Sequence, residues 1–174
     1  MIRNSKLRTF LAITLMALIA WIGQAQEADV VKVGDAMPAF RVLSDKGETL
    51  LSADQLKGKV VLVNFFATWC PPCQKELAAV QEILWPKYKD NDQFALVVVG
   101  REHDEVELAK YNEKKGFTFP LYPDKNRSIY AAFAQSLIPR SYLFDKEGKV
   151  IRATKGYTEE EFAELMQFIE QTLR

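Results

Sequence analysis

Two cysteines separated by two residues, Cys70 and Cys73, constrain this chain more than any other feature. The segment before them, residues 60–66, is almost continuously apolar and rich in β-branched residues, which is typical of a strand covered on both faces. The segment after them has the apolar spacing of an amphipathic helix, carried by Leu77, Val80, Leu84 and Tyr88. The cysteine pair therefore lies where a buried strand ends and a helix begins.

This placement favours redox chemistry over a structural disulfide or half of a metal site. At this spacing both sulfurs meet within one helical turn, so a disulfide opens and closes with little backbone movement. The helix N-terminus favours a thiolate on Cys70, and a thiolate is the nucleophile of disulfide exchange. We expect Cys70 to attack and Cys73, inside the first turn, to resolve the mixed disulfide. A disulfide that closes so short a loop stabilises a fold little by chain entropy.

The composition excludes several other classes of protein. The 174 residues contain two cysteines and one histidine, too few for a closed Cys₄ or Cys₂His₂ zinc site, and we expect no cofactor. Lys plus Arg and Asp plus Glu number 23 each, so no basic excess indicates nucleic-acid binding. Two alternatives stay open. One is a copper carrier that uses Cys70, Cys73 and His103. The other is a thiol peroxidase, although Thr68 stands two residues before Cys70 rather than three.

Residues 1–25 have the layout of a secretory signal peptide. Three basic residues precede an uncharged apolar run at positions 9–23, and the small residues Gly23 and Ala25 suit a signal peptidase. The run is short for a membrane span, which needs about 20 apolar residues, and an uncleaved anchor is the alternative. We predict a leader over 1–25 and one domain over 26–174 that works outside the cytoplasm, in the periplasm. Membrane contact is expected only through an uncleaved leader.

The remaining sequence alternates strand and helix signals, as in an α/β domain. After an N-terminal extension, with a strand expected over 34–45, the predicted order is β-α-β-α-β-α-β-β-α. A short strand is expected over 117–121, closed by prolines, and residues 145–148 are typical of a hairpin turn. Thr158 with Glu161 predicts the cap of a final helix.

Three segments carry a resemblance to a known family. Residues 57–77, which include Trp69-Cys70-Pro71-Pro72-Cys73, resemble the active-site segment of extracytoplasmic thioredoxin-like proteins of the TlpA/ResA type. Residues 34–40 are similar to a motif that this group shares with peroxiredoxins, and Ile138-Pro139 is similar to the cis-proline segment of thioredoxin folds. The resemblance implies a thioredoxin-like fold, with a central mixed sheet flanked by helices, an N-terminal strand extension and a helix-strand insertion at 104–121.

The resemblance also implies a function and a proton acceptor. It implies a thiol–disulfide oxidoreductase acting on protein disulfides and thiols. We expect a reductant, and because a reductant outside the cytoplasm needs an electron supply, a membrane thiol donor is expected as a partner. One implied client is the haem-binding cysteine pair of apocytochrome c. Asn64 stands where thioredoxins place a buried aspartate. Glu76 lies three residues after Cys73 on the same helix face, and relatives with a glutamate here use it near the buried cysteine. The alternative for Glu76 is a solvated surface residue.

Other candidate residues border the cysteine pair as substrate contacts. We expect Trp69 to be an exposed contact beside the sulfur of Cys70 rather than a core residue. A cis Pro139 would pack against the disulfide and leave the backbone of Ile138 to pair with an extended substrate.

Two prolines and one histidine near the cysteine pair carry further expectations. Pro71 and Pro72 lack backbone N–H groups, so fewer donors stabilise a Cys70 thiolate, which predicts a reducing couple. His103 follows a buried strand at the same sheet edge, where an isolated loop histidine is usually solvated.

Overall fold

The computed structural model describes residues 29–174, and the predicted leader at 1–25 lies outside them. Within the described residues five strands form a mixed sheet: β3 (Val60–Phe66), β4 (Phe94–Arg101), β5 (Leu121–Asp124), β6 (Arg140–Phe144) and β7 (Val150–Lys155). Their order in the sheet is β5-β4-β3-β6-β7. β3 pairs in parallel with β4 and β4 with β5, whereas β3 pairs antiparallel with β6 and β6 with β7. This is the mixed central sheet that the sequence predicts.

The N-terminal extension contains less strand than expected. β1 (Arg41–Leu43) pairs antiparallel with β2 (Thr49–Ser52), and a 3₁₀ helix, Ala53–Leu56, leads to β3. The residues before β1 are held by the β6–β7 hairpin instead: the N–H of Gly34 donates to Val150 and that of Met37 to Gly148, both at 2.8 Å. Proline at position 38 has no N–H to continue a ladder toward β1.

The helices flank the sheet in the predicted order. They are α1 (Pro71–Ala79), α2 (Trp85–Tyr88), α3 (Glu105–Lys115), α4 (Ser128–Phe133) and α5 (Glu159–Thr172). Thr158 is the N-cap of α5, and its side chain accepts from the N–H of Glu161 at 3.1 Å. None of the helices within 29–174 is long and apolar enough to cross a membrane.

A π turn, Val80–Leu84, interrupts the helix that the sequence predicts as continuous from Cys70 to Tyr88. It lies just before Pro86, which has no N–H to donate to the preceding turn. The four apolar positions that predicted this helix are buried, as expected: Leu77, Val80, Leu84 and Tyr88.

The predicted strand over 117–121 is misplaced. β5 begins at Leu121 and includes Pro123, which was expected to close the strand. β5 is an edge strand, and a proline there removes no ladder hydrogen bond on its open side. Phe119, expected in the strand, is instead buried in the core beside the sheet.

Side chains of β3 alternate between two apolar cores, one on each face of the sheet. Leu62 and Phe66 pack with residues of α1, α3 and α5. Val63 and Phe65 pack with residues of α4 and β1 on the other face. The helix that follows the cysteines therefore lies over the face of β3 that also carries Asn64.

A glycine lets α3 approach the end of β4 closely. A Cβ atom at Gly100 would lie 2.6 Å from Cδ2 of Leu108 in α3, so any side chain there would displace this buried leucine. Gly100 is paired with Phe66, the last residue of β3. The first turns of α3, the end of β4 and the segment that follows β3 therefore meet at one edge of the sheet.

Candidate active site

Cys70 and Cys73 form a disulfide where β3 gives way to α1. Cys70 is the N-cap residue of α1, and the two Cα atoms are 5.3 Å apart. The N–H of Cys73 donates to Sγ of Cys70 at 3.3 Å. Cys70 is 4% exposed, whereas Cys73 has no exposed surface. Of the two cysteines, Cys70 is therefore the one that reaches the surface.

The two prolines determine which N–H groups surround that sulfur. The side chain of an N-cap residue usually accepts from the N–H of the second or third helical residue. The second residue of α1 is Pro72, which has no N–H, and the third is Cys73, which donates. Pro71, at the first position, has the backbone angle that a helix start requires. The Cys70 sulfur thus lacks one of the two donors that helix starts usually supply.

The segment before β6 lies beside the disulfide. The Ile138–Pro139 peptide bond is cis, as the sequence predicts, and the carbonyl oxygen of Ile138 lies 3.9 Å from Sγ of Cys70. Leu137 is 60% exposed. Its carbonyl accepts a hydrogen bond from the Tyr130 hydroxyl at 2.6 Å, which ties this segment to α4.

Trp69 stands next to Cys70 at the surface. It is 61% exposed, which confirms the expectation that it is not a core residue. The guanidinium of Arg101 lies 5.6 Å from the centre of the Trp69 ring and 5.2 Å from that of Tyr130. A cation at such distances is attracted to both rings. Arg101, to which the sequence assigned no role, therefore links Trp69 to the helix that holds Leu137.

Glu76 is buried between α1 and the sheet, and the alternative of a solvated glutamate is wrong. It is 4% exposed. Its two carboxylate oxygens accept from Nδ2 of Asn64 and from Oγ of Ser141, each at 2.9 Å. Asn64 and Ser141 are register partners on β3 and β6, and Nδ2 of Asn64 also donates to Oγ of Ser141 at 2.9 Å.

The pKa of Glu76 follows from this burial and from its two hydrogen-bond donors, Asn64 and Ser141. Burial raises the pKa of Glu76 to about 7, even though the hydrogen bonds from Ser141 and Asn64 act in the opposite direction. The carboxyl therefore exchanges its proton near neutral pH. Ser141 was not foreseen as part of the site, because its only signal in the sequence is a small hydroxyl residue within an apolar strand.

Arg140 follows the cis proline and is buried on the other face of the sheet. It is 1% exposed and forms an ion pair with Asp29, which also pairs with Lys155. Its Nε donates to the carbonyl of Ser136 at 2.9 Å. Partial burial alone would raise the pKa of Asp29, but the hydrogen bonds from Lys155 and Arg140 outweigh it and keep that pKa below its usual value. The N-terminal segment is thus fastened to the cis-proline segment.

His103 is not the solvated loop residue that was expected. It is 6% exposed, and its Nε2 accepts from the backbone N–H of Thr68 at 3.0 Å. Its Nδ1 lies 3.3 Å from Oε2 of Glu107. Within residues 29–174 no three His, Cys, Asp or Glu side chains are grouped to hold a metal ion, so Cys70, Cys73 and His103 do not form a copper site here.

Comparisons with known proteins agree with the redox pair that this geometry indicates. The Redoxin family model matches residues 32–169. The chain belongs to the redoxin family. This redoxin is 34% identical over 150 residues to the thiol-disulfide oxidoreductase ResA of Bacillus cereus, covering 84% of each chain. It is 34% identical over 154 residues to the ResA of Geobacillus thermodenitrificans, covering 86% of each chain.

Solved structures show the same fold. A solution structure from Bacteroides thetaiotaomicron, provisionally named a protein disulfide isomerase, has a TM-score of 0.78 at 35% identity and covers 84% of this chain and 93% of its own. The crystal structure of StoA from Bacillus subtilis has a TM-score of 0.57 at 26% identity, covering 76% and 99%. The TlpA/ResA-type resemblance and the thioredoxin-like fold are confirmed, and this redoxin is a thiol–disulfide oxidoreductase.

The raised pKa of Glu76 predicts how the stability of this redoxin depends on pH. The fold favours the protonated acid, so its stabilising contribution is fully present below the ordinary value of 4.5 and is lost as pH rises through about 7. Across that range the wild type should lose on the order of 3 kcal/mol of unfolding free energy relative to Glu76→Gln, which keeps the size and an acceptor. Urea unfolding at a series of pH values measures the difference.

The matched control is Glu113→Gln, which changes an exposed glutamate of α3 that does not contribute to the pKa shift of Glu76. Its pH curve should follow that of the wild type. Parallel curves for wild type and Glu76→Gln would contradict the raised pKa.

Proposed function

We propose that this redoxin is an extracytoplasmic protein-disulfide reductase with Cys70 and Cys73 as its redox pair. The observation that carries the proposal is the placement of Cys70. Its sulfur caps α1 and lies 3.9 Å from the carbonyl of Ile138, and Cys70 is the cysteine of the pair that retains exposed surface. A substrate that pairs with this segment would bring its own sulfur to Cys70 before any other group of the site.

The proposed cycle has two exchange steps. The Cys70 thiolate attacks a client disulfide, forming a Cys70–client disulfide and releasing one client thiolate. Cys73 then loses its proton and attacks Sγ of Cys70, which closes the Cys70–Cys73 disulfide and releases the second client thiolate. Two electrons pass to the client, and a thiol donor must return them before the next cycle.

Glu76 is proposed to accept the proton of Cys73. A buried carboxyl with a pKa of about 7 is partly ionised at neutral pH and can take up a proton there. Hydrogen bonds from Asn64 and Ser141 hold the Glu76 carboxyl on the α1 face of the sheet. Glu76 lies one helical turn after Cys73. Glu76→Gln should slow client release from a preformed mixed disulfide by about a hundredfold. Rapid quenching at a series of times measures the release rate. An unchanged rate would show that Glu76 does not have this role.

Substrate is proposed to bind along the surface that surrounds Cys70. Ile138 and the cis Pro139 supply backbone for an extended client, as in strand addition. Trp69, Pro71 and Pro72, all exposed, supply apolar contact on the other side of the sulfur.

The location and partners are proposed from the leader and the resemblance. A signal peptide over 1–25 would export the 26–174 domain, where its disulfide could persist. A reductant in that compartment requires electrons from a membrane thiol donor, and we propose the haem-binding cysteine pair of apocytochrome c as one client. N-terminal sequencing of the protein from exporting cells should begin at Gln26. A sequence beginning at Met1 would indicate an uncleaved anchor instead.

The order of attack can be tested by trapping. Cys73→Ser should accumulate a stable mixed disulfide through Cys70, because serine cannot resolve it. Cys70→Ser should form no adduct, because Cys73 is fully buried. Incubation with an oxidised peptide that carries two cysteines separated by two residues, followed by non-reducing mass spectrometry, measures both. The reverse pattern of adducts would refute the assignment.

The effect of Pro72 on the reduction potential can be tested by restoring the backbone N–H that this proline lacks. Pro72→Ala restores an N–H at the second helical position, from which the Cys70 thiolate can accept. The reduced form is then stabilised, and the reduction potential should become less negative by on the order of 30 mV. Pro71→Ala is the matched control, because the N–H of the first helical residue does not reach the cap side chain. Equal potentials for all three proteins, by glutathione equilibration, would reject this explanation of a reducing couple.

A further inference from the structure

The backbone of Thr68, two residues before Cys70, is held at both ends by side chains. Its N–H donates to Nε2 of His103 at 3.0 Å. Its carbonyl accepts from Nε2 of Gln74 at 3.0 Å. The loop of residues 67–70, on which Trp69 and Cys70 stand, is therefore fixed by side chains outside the loop.

The hydrogen bonds define the tautomer of His103. A backbone N–H can only donate, so Nε2 of His103 must be the unprotonated nitrogen. The ring proton is then on Nδ1, where Oε2 of Glu107 accepts it at 3.3 Å. The same oxygen of Glu107 accepts from the N–H of Asp104 at 3.0 Å, as part of the cap of α3. A carboxylate at the start of α3 thus orients the imidazole toward Thr68.

The same atoms resemble a hydrolytic triad, but their geometry argues against one. The Thr68 hydroxyl lies 3.3 Å from Nε2 of His103, and Glu107 stands behind Nδ1. Nε2 has one lone pair, and the backbone N–H of Thr68 occupies it at the shorter distance. The imidazole therefore has no free lone pair with which to activate the hydroxyl.

The second contact of Thr68 also leads to α3. Oε1 of Gln74 accepts from Nζ of Lys115 at 2.9 Å, and Lys115 is the last residue of α3. The first turn of α3 reaches the loop through Glu107 and His103, and the last residue reaches it through Gln74. Both backbone polar groups of one peptide residue in the loop are consequently tied to a single helix.

We propose that His103 is a positioning residue for disulfide exchange, acting as a neutral acceptor that fixes the 67–70 loop to α3. The proposal rests on the role of Cys70 proposed above. The N–H of Cys70 donates to the carbonyl of Ala67 at 3.1 Å, so a shift of the loop is transmitted to the reacting sulfur. Loss of the acceptor leaves the Thr68 N–H without its partner and frees Cys70 to move away from Ile138.

The test compares two substitutions of His103 in the full-length chain. His103→Leu fills the buried site but offers no acceptor. His103→Gln places an amide oxygen where Nε2 lies and cannot become charged. Val106→Ala, which changes an exposed residue in the first turn of α3, is the control. Insulin disulfide reduction gives the rate, and amide hydrogen exchange resolved at Thr68 reports the hydrogen bond directly.

His103→Leu should accelerate Thr68 exchange and slow insulin reduction, each by about tenfold, whereas His103→Gln should restore both to within about twofold of the wild type. Equal impairment of the Leu and Gln variants would show that His103 acts by packing alone and would overturn the proposal. So would lost Thr68 protection with an unchanged rate. A wild type that does not reduce insulin would instead refute the reductase function, and Thr68 exchange would still decide whether the hydrogen bond exists.

Discussion

The register between β3 and β6 fixes the arrangement of the whole site. It pairs Asn64 with Ser141 and Phe65 with Arg140. Because successive side chains of a strand point to opposite faces, Ser141 meets Glu76 on the α1 face while Arg140 meets Asp29 on the other. A slip of one residue would exchange the two faces and leave both Glu76 and Asp29 without their partners. The same register sets where the cis proline that precedes β6 meets Cys70.

The two buried charged groups near this register differ in how they are compensated. Arg140 has a counter-charge in Asp29, and the two groups keep each other ionised. Glu76 has only neutral donors, Asn64 and Ser141, so burial raises its pKa to about 7. An apolar residue at position 76 would avoid that desolvation. A buried carboxyl with a strongly raised pKa, next to a redox pair, is the kind of group that a proton-transfer site requires.

The parts of this molecule that the sequence predicted depend on local physics. The strand before Cys70, the helix after it and the cis bond before Pro139 follow from apolar spacing, helix starts and a recognisable segment. The contacts that were missed join distant positions: 65 residues separate Glu76 from Ser141, and 111 separate Asp29 from Arg140. The burial of His103 was missed for the same reason, because its partner Thr68 lies 35 residues away. No pattern within a single strand or helix specifies such pairs, which depend on register and on the close approach of α3 at Gly100.

The supports around Cys70 act on backbone and leave side chains exposed. On one side α3 holds the Thr68 peptide through His103 and Gln74. On the other side the Tyr130 hydroxyl holds the carbonyl of Leu137, immediately before the cis bond. The two large apolar side chains between these supports, Trp69 and Leu137, are each about 60% exposed. A fixed backbone holds the reacting sulfur and the Ile138 carbonyl in place before a client binds. Binding therefore costs no conformational entropy for ordering these atoms. Sequence preference among clients would then arise from these exposed side chains, which can change rotamer, while the chemistry stays on the fixed atoms.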